Sequence, residues 1–166
     1  MSILIRDAVP GDLPAILEIH NEAVLNTTAN WYEEPSTLED RQEWLDWRAD
    51  NGYPVLTADE DGVVVGFASY GPWRPKNAYR HTVENSVYVH VDHHRKGVAK
   101  ALMTELVARA KADGRHVVVA YIESSNENSI ALHRKVGFEV AGLLPGVGKK
   151  FGRFLDLTIM QLTLSP

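Results

Sequence analysis

The spacing of apolar positions along this chain changes several times, and each change marks an element. Residues 3–6 are a short apolar run, read as an edge strand. Asp12 precedes a stretch in which Leu13, Ile16, Leu17, His20 and Val24 fall on one helical face, which places it as a helix cap. Residues 37–51 read as a second helix with Leu38, Trp44, Leu45 and Trp47 as its apolar members, closed by Gly52. Residues 55–58 and 63–70 are strands joined by the hairpin dipeptide Asp61-Gly62. Gly71-Pro72-Trp73-Arg74-Pro75 breaks the pattern into a loop, and residues 82–91 form the longest strand candidate. Over Val98–Ala112, Val98, Leu102, Leu106 and Ala110 recur every fourth position, which predicts a helix ended by Gly114. Residues 117–122 are continuously apolar, as in a buried strand. A short helix over 128–136, stopped by Gly137, and strands over 139–144 and 153–164 complete the chain. A three-strand meander followed by a strand-helix-strand unit predicts an α/β protein with a mixed sheet covered by helices.

Length and charge narrow the picture. A chain of 166 residues, 45% of them apolar, suits one domain, 1–166, around one core. It has no cysteine, which removes disulfides, thiolate metal sites and a cysteine nucleophile. A net charge of -5 argues against nucleic acid and anionic membranes as partners. There is no apolar run long enough to span a bilayer, and residues 1–6 lack the blocks of a signal peptide, so a cytoplasmic location is expected.

Two segments carry candidate chemistry. His93-His94-Arg95-Lys96-Gly97-Val98-Ala99 runs directly into a helix, whose first N–H groups have no internal partners and attract anions. Gly97 and Ala99 allow a pyrophosphate close to the backbone, and Arg95 and Lys96 add charge; the alternative is a solvated basic turn. The segment is neither a Walker A loop nor a dinucleotide fingerprint. His90, His93 and His94 lie close in sequence, but they span a strand end and a loop with only Asp92 to complete a ligand set, so no metal is expected. Within 82–91, alternation puts Glu84, Ser86, Tyr88 and His90 on one face and Val83, Val87, Val89 and Val91 on the other. A carboxylate amid an apolar strand is costly unless paired or used, so Glu84 is either a structural partner of Arg80 or a general base.

His94 to Ala99 matches the acetyl-CoA signature of GNAT N-acetyltransferases, Gln/Arg-x-x-Gly-x-Gly/Ala, with His94 departing at the first position. Asn126-Glu127-Asn128-Ser129-Ile130-Ala131-Leu132-His133-Arg134-Lys135-Val136-Gly137-Phe138 matches that family's second signature, Asn-x-x-Ala/Ser-x-x-Leu-Tyr-x-x-x-Gly-Phe. Thr82-Val83-Glu84-Asn85-Ser86-Val87-Tyr88-Val89 resembles the Thr-Val-Glu-His-Ser-Val-Tyr-Val strand of phosphinothricin-type acetyltransferases, with Asn85 replacing the histidine. The resemblance runs from about residue 5 to 164. It implies the GNAT fold, a mostly antiparallel mixed sheet of about seven strands flanked by four helices.

By resemblance, the amides from Arg95 to Lys100, Val98 included, would hold the pyrophosphate of acetyl-CoA. Val87, Tyr88 and Val89 would line its pantetheine arm, with the Val89 N–H as oxyanion donor. Asn126 and Ser129 would meet the same arm, and Arg134 or Lys135 a phosphate. Glu84 would be the base and His133 the acid for the departing thiolate, while Phe138 packs. For the acceptor, Gly71-Pro72-Trp73-Arg74-Pro75 and Tyr79-Arg80 resemble the block whose arginines bind a carboxylate, so Arg74 and Arg80 take that role, with Trp73, Tyr79, Asn85, Ser86 and Trp31 around them. Lys150 and Phe151 would close the site near a homodimer contact. The resemblance implies acetylation of the α-amino group of small amino-acid-like acceptors such as phosphinothricin, methionine sulfoximine or methionine sulfone, by direct attack. Two other readings stay open: a protein or peptide acceptor on the same fold, and an acyl-CoA-binding sensor without turnover.

Overall fold

The computed structural model describes residues 2–164; residues 1, 165 and 166 of the expected domain lie outside the described residues. The elements are β1 (Ile3–Asp7), α1 (Leu13–Asn26), α2 (Leu38–Asp50), β2 (Val55–Glu60), β3 (Val63–Pro72), β4 (Thr82–Val89), α3 (Val98–Ala112), β5 (Val117–Glu123), α4 (Glu127–Lys135), β6 (Glu139–Lys150) and β7 (Arg153–Thr163). One seven-stranded sheet runs in the order β1-β2-β3-β4-β5-β7-β6. Among the described residues only β4 and β5 pair in parallel, as their crossover through α3 requires. The sheet is therefore mixed and mostly antiparallel, as expected.

Local chemistry explains most boundaries. Asp61 and Gly62 both take positive φ, 53° and 90°, the geometry a two-residue hairpin needs. Phe151 and Gly152, at 53° and 75°, turn β6 into β7 in the same way. Thr37 caps α2 by accepting from the Asp40 N–H, while Asp40 accepts from the Thr37 N–H. Asp12 precedes α1 without capping it by its side chain. It pairs instead with Arg6 at 2.8 Å and accepts from the Val9 N–H. β4 is shorter than the run 82–91, because residues Val91–His93 coil into a 3-10 turn. β6 extends six residues beyond 144, reaching Lys150 with a shift in register between Leu144 and Gly148.

The two faces of the sheet bury different clusters. On one, Leu13, Ile16 and Ile19 of α1 and Leu45 of α2 pack with Val55 and Phe67, joined by Trp44 and Tyr88. On the other, Val98, Leu102, Met103 and Leu106 of α3 pack on Leu56, Ala68, Val83 and Ala120, with Ile130 and Leu132 of α4 and buried Phe138 alongside. Adjacent residues of β4 thus reach two separate environments.

Candidate active site

The parallel pairing of β4 and β5 covers only Thr82–Val117, Val83–Val118 and Glu84–Val119. Beyond it β4 continues to Val89 and β5 to Glu123 without pairing to each other, so the strands splay apart. Antiparallel ladders alternate bonded and non-bonded pairs. His90 donates its N–H to the Val65 carbonyl at 2.8 Å, so in the same register Tyr88 and Ser86 bond to β3. Val87 and Val89 therefore turn their N–H groups away from β3 and into the gap. The main chain of Tyr88 is bonded to β3, so of the three residues named for the pantetheine arm Val87 and Val89 offer amides to the gap.

The basic loop lies at the end of this gap. His94 Nε2 donates to the Val89 carbonyl at 2.9 Å, which pins the loop to the end of β4. His94 thus anchors the loop by the hydrogen bond its side chain donates. Arg95 and Gly97 take positive φ, 63° and 81°, and α3 starts without a side-chain cap. A Cβ at Gly97 would meet nothing, so the glycine serves the turn and keeps the helix start open. Arg95, Lys96 and Lys100 are exposed beside it. The arrangement suits a diphosphate, with the amides of Val98, Ala99 and Lys100 at a dipole end. The other two histidines serve different partners: His90 lies 3.4 Å from Glu18 and His93 3.0 Å from Glu60.

Asn126 caps α4, its Oδ1 accepting from the Ser129 N–H, which leaves its NH2 group to donate elsewhere. Arg134 and Lys135 are exposed in the last turn of α4. His133 departs from expectation. It is 2% exposed and stacks edge-on against Phe138. A carbonyl only accepts, so Nδ1 carries the proton and donates to Ser129 O at 2.7 Å, while Nε2 accepts from Asn85 Nδ2 at 3.1 Å. Both nitrogens are engaged, and burial pulls its pKa below the usual histidine value. A neutral ring with no free proton is not placed to protonate a thiolate, and that assignment is corrected. Asn85 is corrected with it: the residue faces Met103 and His133, on the sheet face opposite Glu84, and cannot line an acceptor pocket there.

Glu84, Ser86 and Tyr88 share the α1–α2 face. Glu84 is half-buried; burial raises its carboxyl above the ordinary range, while Arg48 and Arg74 pull it back. The Tyr88 hydroxyl, buried beside Phe67, is pushed up to about 12. Trp73 donates its indole N–H to the Tyr121 hydroxyl at 2.7 Å, bridging the end of β3 to β5 across β4. Tyr79 stacks edge-on against Trp73, and the Arg74 guanidinium lies 5.4 Å from that ring's centroid. Arg80 is exposed and donates to Asn77 O within its own turn, so only Arg74 of the two expected arginines adjoins Trp73 and Glu84. Trp31 donates to Thr28 O and packs on Gly148, where a Cβ would sit 2.5 Å from its ring. Lys150 is 2% exposed, with its ammonium spent on the carbonyls of Val24, Thr27 and Asn30, and Phe151 is 57% exposed at the hairpin turn. Neither is placed as an acceptor ligand of this chain.

Two residues escaped the sequence reading. Arg41 and Arg48, two turns apart on α2, bring their guanidinium groups over Trp44. Burial lowers the pKa of both, and buried guanidinium nitrogens of each lack hydrogen-bond partners among the described residues. The aromatic-arginine alternation of Arg41-x-x-Trp44-x-x-Trp47-Arg48 was the available signal.

Buried neutral histidines have a consequence for stability. His20, 5% exposed against Tyr32, has its pKa lowered to about 4, first by burial and then by Arg41. The unfolded chain binds these protons near pH 6.5 and the folded one does not, so stability falls as pH drops from about 6.5 towards 4. The loss should be on the order of 1–3 kcal/mol, read as a declining denaturation midpoint. In His20→Gln the decline should flatten; an unchanged slope would exclude His20 as a source.

A splayed parallel pair with inward amides leads into the open start of α3, a track for an extended ligand that ends in a diphosphate. The chain belongs to the acetyltransferase (GNAT) family, whose model matches residues 16–138. It is 57% identical to the L-methionine sulfoximine/L-methionine sulfone acetyltransferase of Pseudomonas aeruginosa, over 100% of this chain and 97% of that protein. It is 39% identical to the phosphinothricin N-acetyltransferase of Streptomyces viridochromogenes, over 95% and 85%. A Salmonella typhimurium acetyltransferase structure with acetyl-CoA superposes with a TM-score of 0.97 at 48% identity, covering 99% of this chain and 95% of that one.

Proposed function

We propose that this chain, as one domain over 1–166, transfers acetyl from acetyl-CoA to the α-amino group of small amino-acid-like acceptors, with methionine sulfone, methionine sulfoximine and phosphinothricin as the class. The observation that carries the reading is Glu84, half-buried beside the gap of free amides and facing two arginines. The Val87 and Val89 amides and the start of α3 would hold the co-substrate, and Asn126 would donate to its arm. Glu84 takes a proton from the acceptor's ammonium group, directly or through water. The freed amine attacks the thioester carbonyl. The Val89 N–H donates to the oxygen that gains charge as the C–N bond forms. As the C–S bond then breaks, the nitrogen releases its second proton to solvent. The thiolate takes its proton from solvent, since a thiol pKa near 8.5 needs no protein acid.

Two further properties belong to this proposal. None of the helices among the described residues is long and apolar enough to cross a membrane, which accords with a cytoplasmic enzyme. β6 is an edge strand, and the β6–β7 hairpin exposes Leu143, Val147 and Phe154 at 55%, 55% and 71%, an apolar strip fitted to a second copy. Thiol release should be measured with methionine sulfone, methionine sulfoximine, phosphinothricin, glutamate and a lysine-bearing peptide. Turnover of the first three and not the peptide is expected. Turnover of the peptide alone would discard the acceptor class; coenzyme A binding without thiol release from any of them would favour a sensor.

A further inference from the structure

Gly71 stands directly opposite Glu84 in the β3–β4 ladder, so the two share the α1–α2 face. A side chain at Gly71 would displace what lies there. Its Cβ would lie 1.5 Å from Arg48 Nη1, 2.5 Å from Cζ and 2.9 Å from Nη2. The guanidinium of Arg48 therefore occupies the space that a residue beside Glu84 would fill. It is held among Trp44, Trp47 and Tyr53, each ring centroid 5.9 Å away. Trp47 and Tyr53 stack on each other at 5.7 Å, which stiffens that wall.

A buried guanidinium needs its N–H groups met. Arg48 Nε and Nη1 are buried and have no hydrogen-bond partner among the described residues. Glu84 feels its charge, yet no ion pair joins the two among the described residues. A carboxylate and a guanidinium thus face one side of the sheet from adjoining positions without closing on each other. An α-amino acid fits that pair: its ammonium meets Glu84, and its carboxylate, attached through the same carbon, meets the guanidinium.

We infer that Arg48, seated over Gly71, receives the α-carboxylate of the acceptor and so delivers the adjacent α-amine to Glu84. This rests on the small-acceptor reading above and names the residue that selects amino acids over plain amines. The Nε N–H and the Nη2 N–H on the same edge form the fork that a carboxylate accepts in a bidentate way, and Nε has no other partner among the described residues. Arg74, exposed over Trp73, then screens the entrance rather than forming the floor.

The test compares two acceptors that differ only in the carboxylate: L-methionine sulfone and its decarboxylated amine, 3-(methylsulfonyl)propylamine. In Arg48→Met, compared at a pH above the acidic limb so that the shift in Glu84 does not enter, kcat/KM for the amino acid should fall about 10- to 100-fold, mostly through KM, while the amine changes little. Calorimetric binding of the sulfone should weaken in parallel. Gly71→Ala, which displaces the guanidinium without removing it, should repeat the pattern. Arg48→Lys should recover part of the loss. Coenzyme A binding in each variant verifies the fold. An equal loss on both acceptors, or no loss on the amino acid, would overturn the assignment and leave the acceptor class standing. If the unaltered protein acetylates neither compound, the acceptor class fails and the assignment with it.

Discussion

Replacing Glu84 with Gln should lower turnover by about 10²- to 10⁴-fold, the usual weight of a positioned general base, with coenzyme A affinity unchanged. The amine reaches the site as an ammonium, because its pKa lies at or above about 7.7–8.0. It is inert until a proton is removed. Glu84 faces the acceptor side, whereas the expected cofactor contacts are the amides of Val87 and Val89 and the start of α3, and glutamine preserves its shape. The defect should therefore appear in kcat rather than in coenzyme A binding. The pH dependence follows from the same surroundings. Burial raises the Glu84 carboxyl, and Arg48 and Arg74 lower it again, leaving it above the ordinary range. Only the ionised form accepts a proton, so the acidic limb of kcat/KM should lie above that range and vanish in Glu84→Gln. Removing the charge in Arg48→Met should move the limb further up. Turnover of the glutamine variant at the level of the unaltered protein, with its acidic limb in place, would end the assignment of Glu84.

The order of elements and the place of the anion loop could be read from the residues alone, because both follow from local rules. Asp61-Gly62 demands a hairpin, and Gly97 before an apolar helix marks an uncapped start. The alternation in β4 also placed Glu84, Ser86 and Tyr88 together. What escaped depended on contacts distant in sequence. Nothing near Lys150 reveals that three carbonyls 120 to 126 positions earlier will enclose its ammonium. Nothing near His133 reveals Asn85, 48 residues away, and that pair turns two expected site residues into one buried strut. Arg48 was hidden in the same way. Its meaning comes from Gly71, and a glycine in a strand says only that something lies close, not what.

The largest loss of stability should follow from Lys150→Met. Lys150 ends β6 and drives its ammonium under the C-terminus of α1, where Val24, Thr27 and Asn30 present their carbonyls at 2.7, 2.8 and 2.5 Å. A helix C-terminus has orphan carbonyls and a partial negative charge, so a cation there is matched in both respects. Burial lowers the lysine's pKa and Glu33 opposes that shift. Methionine fills the channel but donates nothing, which leaves three inward carbonyls unmet. Breaking a buried charged contact from one side costs about 3–5 kcal/mol, or roughly 10 °C or more in melting temperature for a chain of this size. The loop between α1 and α2 should loosen first. It carries Trp31, packed on Gly148, and Thr28, whose hydroxyl donates to Glu123 at the end of β5. Acceptor KM should therefore rise while coenzyme A binding, seated on the far side of the gap, persists in the folded fraction. A melting temperature within about 2 °C of the unaltered protein would mean that solvent satisfies those carbonyls and that the lysine is not what fastens the hairpin to α1.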